Sequence, residues 1–179
     1  MKKLLLSSCI LAAMIVLLGS CKDDEKVDSG SLSIDGTKHS LKKAFAYYYG
    51  QDEDGDDTYH YWGIYLTSNE IEIDEDEEST GTGDLVYLYL SALNTGADEV
   101  PVGTFELSSE NGLHIEYGAI YLNADISEES QAESLGDVES VTLVVTKSGN
   151  RYSFKLTITR DGEDDITVNY SGTIKMFES

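Results

Sequence analysis

The C-terminal part of the chain alternates between apolar and polar side chains, and this pattern constrains the fold more than any other feature. The alternating runs are residues 141–146, 152–159 and 166–176. A period of two places one set of side chains on a buried face of a β-strand and the other on a solvated face. Ser148-Gly149-Asn150 and Asp161-Gly162 separate these runs and are typical of hairpin turns. Residues 138–176 therefore predict a three-stranded antiparallel meander.

The preceding part of the chain also reads as strands, although its runs alternate less regularly. The candidate strands are 38–49, 57–67, 69–74, 84–92, 101–108 and 112–123. Residues 85–90 are apolar or aromatic at every position, so both faces of this strand are covered or one of them binds a ligand. Residues 124–137 predict a loop with a helical turn at Ser127–Glu133. The whole pattern predicts an all-β fold with little helix, either an antiparallel β-barrel or a β-sandwich of about 8–10 strands.

The N-terminal residues predict a targeting signal that is removed from the folded domain. Lys2 and Lys3 precede an apolar run that ends at Leu18, which is the pattern of a secretory signal peptide over residues 1–20. The sequence Leu18-Gly19-Ser20-Cys21 resembles the lipobox of bacterial lipoproteins. This resemblance implies that Cys21 is acylated and becomes the mature N-terminus, so that lipid chains anchor the protein to a membrane.

The next residues carry a second resemblance, which concerns localisation. Lys22, Asp23, Asp24 and Glu25 resemble the export signal of cell-surface lipoproteins of the Bacteroidota. The resemblance implies an outer-membrane lipoprotein exposed at the cell surface, whereas the alternative is a solvated acidic spacer. Residues 21–30 predict a flexible acidic tether, and residues 31–179 predict a single β domain.

The C-terminal half contains three short motifs at strand and turn positions. They are Pro101-Val102-Gly103-Thr104-Phe105, Ser148-Gly149-Asn150-Arg151-Tyr152 and Tyr170-Ser171-Gly172-Thr173. Together they resemble small Bacteroidota lipoproteins described as lipocalin-like or calycin-like. The resemblance implies a lipocalin-like barrel, which we prefer to the sandwich.

Charge and cysteine content exclude several functions. The chain has 12 Lys and Arg against 34 Asp and Glu, for a formal charge of −22, and phosphate backbones require clustered cations. We therefore expect no nucleic-acid partner. Cleavage after residue 20 removes two lysines and no acids, so the mature charge becomes −24. It also leaves Cys21 as the remaining cysteine, and a lipidated cysteine offers no thiol for a disulfide, a metal or a nucleophile.

We expect no catalytic residues, no metal and no cofactor. The three histidines, His39, His60 and His114, lie on separate runs, and the chain lacks the HExxH, GxSxG, P-loop and GxGxxG motifs. Acidic residues cluster at 52–57, 74–78 and 161–165. The first cluster suits Ca²⁺ by composition, but its spacing does not fit an EF-hand. All three clusters fit acidic hairpin tips, which increase solubility and prevent edge pairing. A hydrolase that uses two carboxylates is the least favoured alternative.

Aromatic residues give the strongest indication of function. Ten of the 12 tyrosines and the single tryptophan lie between residues 47 and 121. The predicted ligand contacts are Tyr47, Tyr49, Tyr61, Trp62, Tyr87 and Tyr89. Tyrosine suits stacking on sugar rings, but it also stabilises sheets through cross-strand pairs. The leading hypothesis is a non-catalytic surface domain that binds a glycan or a small amphiphile. The alternative is a structural or accessory component of a surface complex with an outer-membrane protein.

Overall fold

The computed structural model describes residues 28–107, 111–126, 132–133 and 137–178. Within these residues the chain forms thirteen β-strands and no helix, so the predicted all-β class is confirmed. The strands are β1 (Ser29–Ile34), β2 (Thr37–Leu41), β3 (Lys43–Asp54), β4 (Asp57–Thr67), β5 (Glu72–Ile73), β6 (Ser79–Thr80), β7 (Thr82–Leu93), β8 (Gly103–Glu106), β9 (Leu113–Asp125), β10 (Val138–Ser148), β11 (Arg151–Arg160), β12 (Ile166–Thr173) and β13 (Lys175–Glu178). The predicted signal peptide, Cys21 and the acidic residues after it lie outside the described residues, as do residues 127–131 of the predicted helical turn.

Eleven strands form one curled sheet in the order β13-β3-β4-β7-β9-β8-β10-β11-β12-β1-β2, and β5 and β6 form a small separate hairpin. The sheet has more strands than predicted, and it is mixed. Most neighbours are antiparallel, but β13 runs parallel to β3 and β8 runs parallel to β9. Alternation within a strand indicates that its two faces have different surroundings, and it carries no information about the direction of the neighbouring strand.

The C-terminal meander is confirmed for β10, β11 and β12. Val141 pairs with Ile158, and Leu156 pairs with Val168. The third strand ends at Thr173, three residues before the predicted end. Lys175–Glu178 instead pairs with β3, where the Phe177 ring stacks on Tyr47 with 4.7 Å between centroids.

The predicted strand 38–49 is divided in the structure into β2 and β3. The break falls at Lys42, whose backbone N–H donates to the Thr67 carbonyl at 2.7 Å. β1 was not predicted; it pairs with β2 through a turn in which Asp35 and Gly36 both adopt positive φ, 48° and 74°. β1 begins at Ser29, two residues before the predicted start of the domain.

The inner face of the sheet encloses the main core. Its members come from every long strand and include Leu32, Trp62, Ile64, Leu66, Val86, Leu88, Leu90, Phe105, Leu143, Phe154, Leu156 and Val168. The curl brings distant strands together, since His39 Nδ1 on β2 lies 3.2 Å from Asp84 Oδ2 on β7. The opposite face of β3, β4, β7 and β9 is therefore an outer face, and its composition is unusual.

Candidate functional site

Tyrosines occupy the outer face of β3, β4, β7 and β9 at nearly every second position. We call this surface the outer tyrosine face. It consists of Tyr47, Tyr49, Tyr59, Tyr61, Tyr65, Tyr87, Tyr89, Tyr117 and Tyr121. The register brings these rings together across neighbouring strands, since Tyr65 pairs with Tyr87 and Tyr89 pairs with Tyr117. Cross-strand aromatic neighbours of this kind stabilise a sheet.

The β5–β6 hairpin covers one end of this face, and the residues between the hairpin and the sheet form a second hydrophobic core. Phe45, Ile71, Ile73 and Leu85 are buried there together with Tyr47, which is 3% exposed. The Tyr47 hydroxyl donates to the backbone carbonyl of Asp74. Burial, reinforced by nearby carboxylates, raises the pKa of Tyr47 to about 12. This tyrosine is part of the packing and is not available to a ligand.

Glu77, in the turn of the β5–β6 hairpin, connects the hairpin to the tyrosines beneath it through hydrogen bonds. Its carboxylate accepts hydrogen bonds from the hydroxyls of Tyr49 and Tyr65, which lie 3.3 Å from each other. Burial raises the pKa of Tyr49 and of Tyr65 well above the usual range of a tyrosine. The hydrogen bond of each hydroxyl to Glu77 raises it further. Both hydroxyls therefore remain donors at neutral pH. Glu77 adopts a positive φ of 64°, which is uncommon for a residue with a side chain.

The other end of the outer tyrosine face is open. Tyr61 and Tyr89 are half-buried and nearly parallel, with 5.8 Å between ring centroids and 15° between planes. Tyr87 lies beside Tyr117 at 6.1 Å, and Tyr117 is 55% exposed. The pKa values of Tyr61 and Tyr89 are raised, chiefly by desolvation and also by the charge of Glu116. The open end thus presents aromatic rings with protonated hydroxyls.

A polar cleft of about 470 Å³ adjoins these rings. Its lining consists of Asp52, Glu53, Asp54, Tyr59, Tyr61, His114 and Glu116. The β7–β9 ladder shifts register between Tyr89 and Leu90, and Glu116 is the extra residue on β9 at this bulge. The Glu116 carboxylate accepts a hydrogen bond of 2.5 Å from Ser91 Oγ. Bulges often redirect side chains next to functional sites, and this one places a carboxylate beside the stacked tyrosines.

Five of the six predicted ligand contacts lie on the outer tyrosine face, and Trp62 does not. Trp62 is 0% exposed on the inner face, where its ring tilts against Tyr48 with 5.1 Å between centroids. Successive strand residues point to opposite faces, so Tyr61 and Trp62 cannot share a surface. The cleft residues Asp52, His114 and Glu116 were not predicted. The bulge interrupts the alternation of β9 between His114 and Tyr117. The sequence pattern therefore did not indicate that Glu116 lies beside the tyrosines.

Two further structural findings bear on the kind of site. In the part of the chain that the structure describes, no three His, Cys, Asp or Glu side chains are arranged to hold a metal ion. Among the same residues, no helix is long and apolar enough to cross a bilayer.

Comparison with known proteins adds no family. No family model, no curated protein and no solved structure matches the chain.

Proposed function

We propose that this chain is a surface-anchored, non-catalytic lipoprotein whose β domain binds an extracellular glycan at the open end of the outer tyrosine face. The observation that carries the proposal is the nearly parallel pair Tyr61 and Tyr89 beside the cleft that contains Glu116 and His114. Aromatic rings next to hydrogen-bonding groups match the two surfaces of a sugar, which has apolar C–H faces and a rim of hydroxyls.

The charges of the cleft favour one class of glycan. Asp52, Glu53, Asp54 and Glu116 all line it, and carboxylates accept hydrogen bonds from hydroxyl groups. An acidic polysaccharide would be repelled by these groups and by the formal charge of −22. The ligand class that fits is therefore a neutral or amino-bearing oligosaccharide.

The anchor in this proposal rests on the sequence. Cys21 follows Leu18-Gly19-Ser20, and Lys22 to Glu25 follow Cys21, which supports lipid attachment and display at the outer-membrane surface. Replacement of Cys21 by Ser should abolish incorporation of labelled fatty acid and release the chain from the membrane fraction. Retention of the label in Cys21→Ser would overturn the anchor.

The glycan site is tested by binding to a panel of neutral, amino-bearing and acidic oligosaccharides. Tyr61→Ala and Tyr89→Ala should each weaken binding of the best oligosaccharide about tenfold or more, which corresponds to about 1.4 kcal/mol. Tyr121→Ala is the matched control, because Tyr121 is a half-buried tyrosine of the same face near the covered end. This variant should bind like the unmodified chain.

Two results would contradict the proposal. One is equal loss of binding in the Tyr121 control and in the Tyr61 and Tyr89 variants, since that pattern would report general destabilisation. The other is the absence of oligosaccharide binding together with stable co-purification of an outer-membrane protein. The second result would favour the alternative of an accessory component in a surface complex.

A further inference from the structure

Within the described residues, the short strand β8 ends before its neighbours β9 and β10 do. Glu106, the last residue of β8, pairs with His114 of β9 on one side and with Thr142 of β10 on the other. At this point the gap between β9 and β10 is therefore one strand wide. Beyond Glu106, the described residues place no strand between Ile115–Ala119 of β9 and Val138–Val141 of β10. We call this space, in which the described residues form no strand, the vacant lane.

The chain itself limits the length of the vacant lane. The backbone N–H of Glu133 donates to the Ile120 carbonyl at 2.7 Å, so this carbonyl of β9 already has a partner at the far end. Between Glu106 and Ile120 the lane is long enough for a segment of about five residues at the usual rise per strand residue.

The floor of the vacant lane is apolar. The lane opens into a cleft of about 290 Å³ whose lining includes Val86, Leu88, Ile115, Ala119, Ile120, Val141, Leu156 and Ile158. Leu107, Tyr117 and Val138 also line it and are 53%, 55% and 38% exposed. Only two other large hydrophobic side chains are comparably exposed in the described parts of the chain, Val102 and Met176. Grouped exposed apolar side chains of this kind mark interaction surfaces.

We propose that an extended segment of a partner protein binds in the vacant lane as an added β-strand. The facing edges of β9 and β10 offer backbone groups for ladder hydrogen bonds, and the apolar floor accepts every second side chain of the segment. This is the known mode of strand addition, in which the main chain supplies affinity and alternate pockets supply specificity. The lane borders the open end of the outer tyrosine face, since Tyr117 belongs to both and Glu116 lines both clefts. The inference does not, however, rest on glycan binding.

Charge defines the chemistry of the segment. Among the described residues, the exposed charged side chains that border the lane are acidic, namely Glu106, Glu116, Asp137 and Glu139. Arg160, which pairs in register with Val138, is engaged by Asp35 and Glu163. The segment that fits therefore alternates apolar residues, which face the floor, with Lys or Arg residues, which face the acidic border.

The test uses blocked peptides of about seven residues with the full chain. The first peptide alternates Lys and Val, the second alternates Glu and Val, and the third carries Pro in place of one central Lys. We expect the Lys-Val peptide to bind at least about tenfold more tightly than either of the others. Proline lacks the N–H that the ladder requires, so its effect separates strand addition from apolar contact alone.

Protein variants locate the binding. Leu107→Ser should weaken Lys-Val peptide binding severalfold, whereas Val102→Ser should leave it unchanged, since both residues are 53% exposed and only Leu107 lines the cleft. Amide hydrogen exchange should slow at Ile115–Ala119 and Val138–Val141 when the peptide is bound. Tyr61→Ala should not change peptide affinity, so failure of the lane and failure of the glycan site are distinguishable.

Three results would overturn the proposal. Equal binding of the Pro-containing peptide would exclude strand addition, and equal binding of the Glu-Val peptide would exclude the basic partner. Binding of a dodecyl glycoside that depends on Leu107, with no binding of any peptide, would assign the cleft to an alkyl chain.

Discussion

At the scale of single residues, the outer tyrosine face depends on one position that lacks a side chain. The Tyr49 ring lies across Gly63, and a Cβ atom added at Gly63 would lie 2.6 Å from the Tyr49 hydroxyl oxygen. Glycine normally weakens a strand interior. Here it provides the space in which Tyr49 reaches both Glu77 and the Tyr89 ring.

The Gly63→Ala variant should therefore displace Tyr49 and break its bond to Glu77. We expect the free energy of unfolding to fall by about 1–3 kcal/mol, as for other overpacked sites, measured from urea midpoints. Gly96→Ala is the control, because the nearest atom to its added Cβ is 4.0 Å away, and it should change stability by less than about 0.5 kcal/mol. Equal urea midpoints for Gly63→Ala and Gly96→Ala would contradict the close contact between Gly63 and Tyr49.

The raised pKa of Tyr47 predicts that the free energy of unfolding falls at alkaline pH. The pKa of Tyr47 is about 12 in the folded chain, against about 10 in an unfolded chain. Between these values the unfolded state loses a proton that the folded state keeps, so stability falls as pH rises above about 10. The effect should approach 1.4 kcal/mol per pH unit for this group. Tyr47→Phe should show a shallower decline in urea midpoints over the same range, and parallel declines would contradict the assignment.

At the scale of elements, the last strand and the small hairpin convert half of an aromatic face into core. β13 adds to the edge of the sheet parallel to β3, and its Phe177 ring stacks on Phe45 and Tyr47. The β5–β6 hairpin covers the same region through Ile71 and Ile73. These two elements decide which tyrosines are buried and which remain open to a ligand.

Phe177→Ala should detach β13 from the sheet edge. We expect a loss of about 1–3 kcal/mol in unfolding free energy, from lost apolar burial and ring stacking, and faster amide exchange along Phe45–Tyr48. Met176→Ala removes an exposed side chain of the same strand and should have a much smaller effect. Unchanged exchange in Phe177→Ala would mean that backbone pairing alone holds β13.

At the scale of the whole molecule, polar contacts hold the curled sheet in shape. His39 on β2 meets Asp84 on β7, and the Asp84 carboxylate also accepts the N–H of Asn123 at 3.0 Å. Arg160 joins the β1–β2 turn to the β11–β12 turn through Asp35 and Glu163. The contacts of His39 with Asp84, of Asn123 with Asp84 and of Arg160 with Asp35 link segments that lie far apart in the sequence.

A double-mutant cycle measures the first of these links. His39→Ala, Asp84→Ala and the double variant should give a coupling energy of about 0.5–1.5 kcal/mol, since the pair is largely buried. The same cycle on Lys147 and Glu99, where the carboxylate is more exposed, should give a value nearer zero. Coupling no larger than in this second pair would contradict a role for His39 in holding the curled sheet in shape.

The sequence by itself determined the strand character of the chain, the C-terminal meander and the identity of the aromatic residues, because alternation and turn composition are local properties. Tertiary structure decided the rest. Trp62 and Tyr61 are neighbours in the sequence and lie on opposite faces, and alternation alone does not tell which face is inside. β13 pairs with β3 and does not extend the C-terminal meander. Glu77, in the turn of the β5–β6 hairpin, accepts hydrogen bonds from Tyr49 and Tyr65 of the sheet. Both the pairing of β13 with β3 and the hydrogen bonds of Glu77 join segments that lie far apart in the sequence. They form because the curled sheet brings complementary surfaces together, and a local sequence pattern does not contain that information.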